Sequence, residues 1–195
     1  KVGIVGFGNL GKYLYEKIRT DPKASAQLEV GWIYNRTPEA LDSLNVPQEL
    51  RLHSLTDVGN HPVDIIVEVA HPDITRQYGL LFLQYSDLFI GSPTVFADKN
   101  VEAQIREASR TGKHGVYVPS GALWGADDIA KMGEAGTLRQ LTITMKKHPN
   151  SLKVLPPLTE KIANYTPGVE NVIFEGILIV SKICLFMALT NQMHA

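Results

Sequence analysis

Three glycines in the pattern Gly6-x-Gly8-x-x-Gly11 form the strongest chemical signal in this sequence. They stand between a short β-branched run and a segment with the apolar period of an amphipathic helix. In such a unit the first glycine permits a tight turn, the second lets backbone approach a pyrophosphate, and the third lets the helix pack closely on the strand. The alternative is a purely structural turn. The candidate cofactor-binding residues of this loop are Gly6, Phe7, Gly8, Asn9, Leu10 and Gly11.

Asn35 and Arg36 follow the next predicted strand, where an NAD-selective site usually carries Asp or Glu to hold the ribose 2′-hydroxyl. No carboxylate stands at this strand end. The Arg36 guanidinium could instead pair with a 2′-phosphate, and Asn35 or Thr37 could hydrogen-bond to it. We therefore expect the site to accept NADP, alongside NAD. A solvated arginine at a turn is the alternative.

Ala70 and His71 follow the most apolar predicted strand, which ends in Glu68-Val69. Ligands of open α/β sheets bind outside the carboxyl ends of the strands, so both residues are candidates for contact with the nicotinamide half of a cofactor. His71 could also transfer a proton or merely cap the turn before Pro72. Glu68 needs a partner or a functional reason in such a strand, and a hydrogen-bonded structural carboxylate is the favoured interpretation.

Strands and helices are predicted to alternate along the first 119 residues, which favours a Rossmann-type doubly wound parallel sheet in the α/β class. From Ala126 the pattern changes to a helix at 127–132 and a half-exposed strand at 138–145. We therefore expect a dinucleotide-binding domain at 1–125, with a different organisation after it. The predicted strands lie at 2–5, 28–34, 63–69, 87–90 and 115–118, and the helices end near Thr20 and lie at 38–44, 74–85 and 98–110.

Composition excludes several classes of protein. The chain has 195 residues, 44% of them hydrophobic and 20% charged, which is typical of globular proteins and not of disordered ones. A net charge of −1 supplies no broad attraction for nucleic acid or anionic membrane. The single cysteine, Cys184, allows no intrachain disulfide and favours a cytoplasmic protein. We predict no membrane span, and the scattered histidines show no spacing typical of a metal site.

Several segments together resemble the aspartate dehydrogenase family. The resemblance covers residues 1–176, and the segment around Trp124 is its most specific part. The matching segments are 5–11, 67–72, 91–93, 121–129, 144–145, 148–149 and 174–176.

The resemblance implies an architecture like that of dihydrodipicolinate reductase, with a Rossmann domain, an α/β substrate domain and often a homodimer. It implies NAD or NADP as cofactor, with Gly6–Gly11 at the pyrophosphate and Ala122 near the nicotinamide. The family reaction is oxidative deamination of L-aspartate to iminoaspartate, which yields oxaloacetate and ammonia or enters NAD biosynthesis.

The resemblance implies a partial substrate or dimerisation domain at 126–176 and stops after Gly176, which leaves a divergent apolar tail at 177–195. A buried strand followed by a core helix is the alternative for this tail. The family's later cofactor-contacting segment and its catalytic histidine have no matching position here, so no catalytic residue is assigned. We expect a chain that binds a dinucleotide, turns over aspartate poorly or not at all, and tends to associate through its apolar tail. Two alternatives remain open: a non-catalytic dinucleotide-binding module, and a related oxidoreductase acting on another small amino or oxo acid.

Overall fold

The computed structural model describes residues 1–119, 125–151, 156, 158–164, 166, 168–173 and 175. The chain divides into two compact units, Lys1–Pro119 and Ser120–Ala195. The separate division into domains at residues 125 and 176 stays a prediction.

The first unit contains a five-stranded sheet in which every neighbouring pair of strands is parallel. The strand order is β2-β1-β3-β4-β5, so the chain moves outward from β1 first to one side and then to the other. The point where the direction changes lies between β1 and β3, and open α/β sheets bind their ligands at such a point. The strands are β1 (Val2–Val5), β2 (Val30–Tyr34), β3 (Ile65–Glu68), β4 (Asp87–Ile90) and β5 (Val116–Tyr117).

Three helices of the first unit begin at a side chain that accepts from an exposed N–H group, whereas the helix after the glycine loop has no such cap. The Asp21 carboxylate accepts from the N–H of Lys23, and Asp98 does the same for Asn100 at the start of a later helix. The helices of the first unit are α1 (Asn9–Thr20), α2 (Pro22–Ser25), α3 (Pro72–Phe82) and α4 (Lys99–Thr111), with 3₁₀ segments at Pro38–Leu44, Gln48–Leu50, Leu55–Asn60 and Pro93–Ala97.

Both faces of the sheet are covered, which explains why its strands are almost continuously apolar. Successive residues of β1 point to opposite faces: Ile4 belongs to the cluster that contains Tyr15 of α1, and Val5 to the cluster that contains Phe82 of α3 and Ile105 of α4. Each buried Val, Leu or Ile side chain contributes about 1.5–3 kcal/mol relative to exposure. The predicted doubly wound parallel sheet is therefore confirmed.

The second unit contains α5 (Ala126–Glu134), a 3₁₀ turn at Pro149–Ser151 and α6 (Leu158–Ala163). The strand predicted at 138–145 is wrong, because these residues form no β ladder. A half-exposed strand needs a neighbour for its N–H and C=O groups, and the described residues of this unit include no second strand. None of the helices that the structure describes is both long and apolar enough to cross a bilayer.

Candidate functional site

The three glycines of the loop after β1 serve three different geometric requirements. Gly6 has φ of 104°, in the region that side chains avoid, and a Cβ on it would lie 2.8 Å from the Ala70 Cα. A Cβ on Gly11 would lie 2.0 Å from the Gly6 carbonyl oxygen, so only glycine allows α1 to pack this closely. A Cβ on Gly8 would meet no atom of the described residues within 4 Å. Gly6 and Gly11 thus satisfy the packing of the turn, whereas Gly8 faces open space.

The amino end of α1 lies directly beside that open space. The first backbone bond of the helix runs from the Lys12 N–H to the Gly8 carbonyl oxygen, at 3.0 Å. The N–H groups of residues 9–11 therefore precede any carbonyl that the helix could offer them. The first turn of α1 also contains no acidic residue. The helix dipole and these N–H groups together make this end suitable for a bound anion.

Asn35 anchors the glycine loop to the end of β2. Its Oδ1 accepts from the Phe7 N–H at 2.9 Å, and its Nδ2 donates to the Thr37 carbonyl oxygen at 2.8 Å. The Phe7 ring is buried and packs edge-on against Tyr15, with centroids 5.8 Å apart. The Asn35 hydrogen bond and the packing of the Phe7 ring therefore hold the glycine loop in position.

The side chain of Arg36 is exposed, as pairing with a 2′-phosphate requires. Its side chain lies at the surface immediately after β2, and it forms no hydrogen bond or ion pair with any residue that the structure describes. The guanidinium is thus available for an anion on the β2 side of the loop. Its five N–H donors can bind a phosphate in two-point geometry.

Glu68 ends β3 with a fully buried carboxylate. Its Oε1 accepts from the N–H groups of Ala70 and His71 at 2.7 and 2.9 Å. The Ser92 hydroxyl donates to the same oxygen at 3.0 Å, and the Ser92 N–H donates to Oε2 at 3.1 Å. Burial raises the pKa of Glu68, and the four hydrogen bonds oppose that rise because each favours the ionised form.

His71 begins α3 as its N-cap residue. Its Nδ1 accepts from the Asp73 N–H at 3.3 Å and lies 3.2 Å from an Asp73 carboxylate oxygen. The neutral ring caps the helix, and a protonated ring would pair with that carboxylate. The capping alternative for His71 is therefore confirmed, and its exposed ring remains at the carboxyl edge of the sheet.

The first unit matches a known family over nearly its whole length. The sequence model described as homoserine dehydrogenase, NAD binding domain, matches residues 6–119, which is more than half of the chain. The chain belongs to this family. The match begins at the glycine loop and ends after β5, so it covers the elements that build the site described above.

Individual relatives confirm the resemblance to the aspartate dehydrogenase family. An aspartate dehydrogenase domain-containing protein of Xenopus tropicalis is 47% identical, and the match covers 90% of this chain and 61% of the relative. The protein of the same description from Danio rerio is 40% identical, over 94% and 64%. The crystal structure of aspartate dehydrogenase from Thermotoga maritima is 26% identical with a TM-score of 0.53, over 69% of this chain and 51% of that one. The chain spans less than two thirds of the length of each of these proteins.

The structure brings together most of the candidates that the sequence indicates. The glycine loop, Asn35 and Arg36 lie around the end of β1 and β2, and Ala70 and His71 follow β3. Ala122 lies outside the described residues, as do Cys184 and the apolar tail at 177–195. Within the part of the chain that the structure describes, no group of three His, Cys, Asp or Glu residues is placed to hold a metal ion.

Two hydrogen-bonded connections between turns were not predicted from the sequence. The sequence makes Asn35 a candidate for the cofactor phosphate, and the structure adds that its Oδ1 accepts from the Phe7 N–H. Contact between Asn35 and a cofactor stays a prediction. The sequence left the partners of Glu68 open, and one of them is Ser92, which is 24 residues away along the chain. Both contacts could have been predicted from the order of the strands in the sheet, because the carboxyl ends of neighbouring parallel strands lie side by side.

The raised pKa of Glu68 predicts the sign of a pH effect on stability. Between its ordinary value of 4.5 and the higher folded-state value, the folded chain binds more protons than the unfolded chain. The stability that Glu68 contributes is therefore fully present below pH 4.5 and decreases as the pH rises through the folded-state pKa. Urea denaturation of the wild type and Glu68→Gln across this range should show a difference in unfolding free energy that decreases with rising pH.

Asp21→Asn provides the matched control. The N–H groups of Lys23 and Ala24 lower the pKa of Asp21, so its contribution is complete above its ordinary value of 3.8. The difference between the wild type and Asp21→Asn should stay constant above about pH 5. If the difference in unfolding free energy between the wild type and Glu68→Gln grew with pH, it would contradict a raised pKa of Glu68 in the folded chain.

Proposed function

We propose that this chain is the dinucleotide-binding part of an NAD(P)-dependent dehydrogenase that deaminates L-aspartate oxidatively. The observation that carries the proposal is the open space at Gly8, directly beside the N–H groups of residues 9–11, to which the helix itself offers no carbonyl. The similarity to aspartate dehydrogenase domain-containing proteins supports the choice of substrate.

The residues present fit a dinucleotide. The N–H groups of residues 9–11 would hold the pyrophosphate, and Gly8 would allow the backbone to approach it without a side chain between them. Arg36 would neutralise a phosphate on the adenosine ribose. Ala70 and His71 would border the other half of the cofactor. When bound, a nicotinamide cofactor supplies the acceptor for the hydride that leaves the substrate.

The proposed reaction removes a hydride from the α-carbon of L-aspartate and a proton from its amino group. The product, iminoaspartate, then adds water and releases ammonia to give oxaloacetate. Within this chain, the turns after β3 and β4 would orient the reacting face, and no described residue is assigned to move the proton. Use of iminoaspartate in NAD biosynthesis, a homodimeric state and a cytoplasmic location stay predictions.

Activity can be measured with the 195-residue chain, L-aspartate and NAD⁺ or NADP⁺. We expect the absorbance of reduced nicotinamide to rise slowly or not at all with L-aspartate, because no described residue is assigned to move the proton. Any rise should be absent with D-aspartate, whose α-hydrogen would point away from the cofactor. Reduction at an ordinary enzymatic rate of about 1–10³ per second would contradict this expectation, whereas cofactor binding with no reduction at all would favour a non-catalytic binding module. Reduction with another amino acid instead would refute the choice of substrate.

Gly8→Ala should weaken the binding of both NADH and NADPH by at least about tenfold, or about 1.4 kcal/mol. The methyl group has free space in the protein alone but would intrude between backbone and pyrophosphate. Calorimetric titration measures the loss, and the thermal unfolding midpoint should change little.

Gly11→Ala is the informative contrast to Gly8→Ala. Its Cβ would meet the Gly6 carbonyl oxygen at 2.0 Å, so this variant should lose stability as well as cofactor binding. Unchanged affinity of Gly8→Ala for both cofactors would mean that the pyrophosphate lies elsewhere.

Arg36→Asp should reverse the cofactor preference. We expect the wild type to bind NADPH at least as tightly as NADH, and the variant to favour NADH by about tenfold or more, because a carboxylate repels a 2′-phosphate and accepts from a 2′-hydroxyl. Arg110→Asp makes the same charge change near the end of α4 and should leave the ratio unaltered. A strong preference of the wild type for NADH would refute the role of Arg36.

A further inference from the structure

The Glu68 carboxylate connects two turns that are separate in sequence. The turn after β3 donates the N–H groups of Ala70 and His71 to Oε1. The turn after β4 donates the Ser92 hydroxyl to Oε1 and the Ser92 N–H to Oε2. All four groups are donors, and a carboxylate is the side chain that offers only acceptors. Its complete burial means that water cannot replace any of these bonds.

The backbone of Glu68 is also closely packed against the turn after β4. The Gly91 N–H donates to the Glu68 carbonyl oxygen at 2.7 Å, and a Cβ on Gly91 would lie 2.5 Å from that oxygen. On the other side, Ala70 lies so close to the glycine loop that a Cβ on Gly6 would come within 2.8 Å of the Ala70 Cα. Glu68 is thus linked to the glycine loop through Ala70 and to the end of β4 through Ser92.

We propose that Glu68 is a positioning residue that fixes the turns after β3 and β4 as the surface receiving the nicotinamide half of the dinucleotide. The inference rests on the proposed function. With the pyrophosphate at α1 and the adenosine half beside Arg36 on the β2 side, the other half extends across the ends of β3 and β4. Glu68 does not touch the cofactor in this arrangement; it acts through the N–H groups and the hydroxyl that it holds.

The test compares two ligands that differ only in the nicotinamide, NADH and ADP-ribose, by calorimetric titration of the 195-residue chain. Glu68→Gln retains the size of the side chain but replaces one acceptor oxygen by a donor nitrogen, which must face an N–H group of one turn. We expect the affinity for NADH to fall about tenfold, with a change of less than about twofold for ADP-ribose. A general loss of stability would weaken both ligands equally.

Asp87→Asn is the matched control, because Asp87 begins β4 and so lies at the amino ends of the strands, away from the proposed site. Its carboxylate also accepts from a backbone N–H, that of Gly115, at 2.9 Å. This variant should leave the affinity ratio of the two ligands unchanged. Ser92→Ala removes only the hydroxyl donor and should lower the ratio about threefold, and Ser92→Thr should restore it. This pair decides the matter if Glu68→Gln does not fold.

The outcomes separate this inference from the proposed function. A selective loss of NADH affinity in Glu68→Gln or Ser92→Ala supports the positioning role. An unchanged ratio, or equal losses for both ligands, overturns it while leaving the dinucleotide site intact. Binding of neither ligand by the wild type overturns the proposed function and this inference together.

Discussion

The amino end of α1 rests on the carboxyl end of β1, and the contact between Gly11 and the Gly6 carbonyl oxygen leaves no room for a side chain. Every other feature of the site depends on this close approach. It places the N–H groups of residues 9–11 at the edge where β1 and β3 meet, which is also where the strand order changes direction. A helix held further from the strand would present the same N–H groups, but not at the ends of the strands that supply Arg36 and Ala70.

Polar side chains at the strand ends make that edge rigid. Asn35 connects the end of β2 to the glycine loop, and Glu68 connects the turn after β3 to the turn after β4. Both side chains bind backbone N–H groups, which makes the shape of three successive turns depend on hydrogen bonds rather than on apolar packing alone. The four bonds that Glu68 accepts offset only part of the cost of burying its carboxylate, because its pKa stays raised.

Few charged side chains lie around the glycine loop among the described residues. Arg36 extends from the β2 side of the glycine loop without a partner among the described residues, and the first turn of α1 has no carboxylate. Against a net charge of −1 for the chain, the attraction for an anion is local to this loop. That locality is consistent with a small phosphorylated ligand, and the family to which the chain belongs is one of NAD-binding domains.

The sequence by itself determined the alternation of strands and helices in the first unit and the positions of the three glycines, because apolar period and turn residues are local properties. It also indicated Arg36, since a charge at a strand end is visible without coordinates. Tertiary structure alone decided that Asn35 binds Phe7 and that Glu68 binds Ser92, because these partners lie in turns that follow other strands. The same reason explains the wrong strand at 138–145: alternation of polar and apolar residues is a local pattern, whereas a strand exists only where a neighbour takes up its backbone hydrogen bonds.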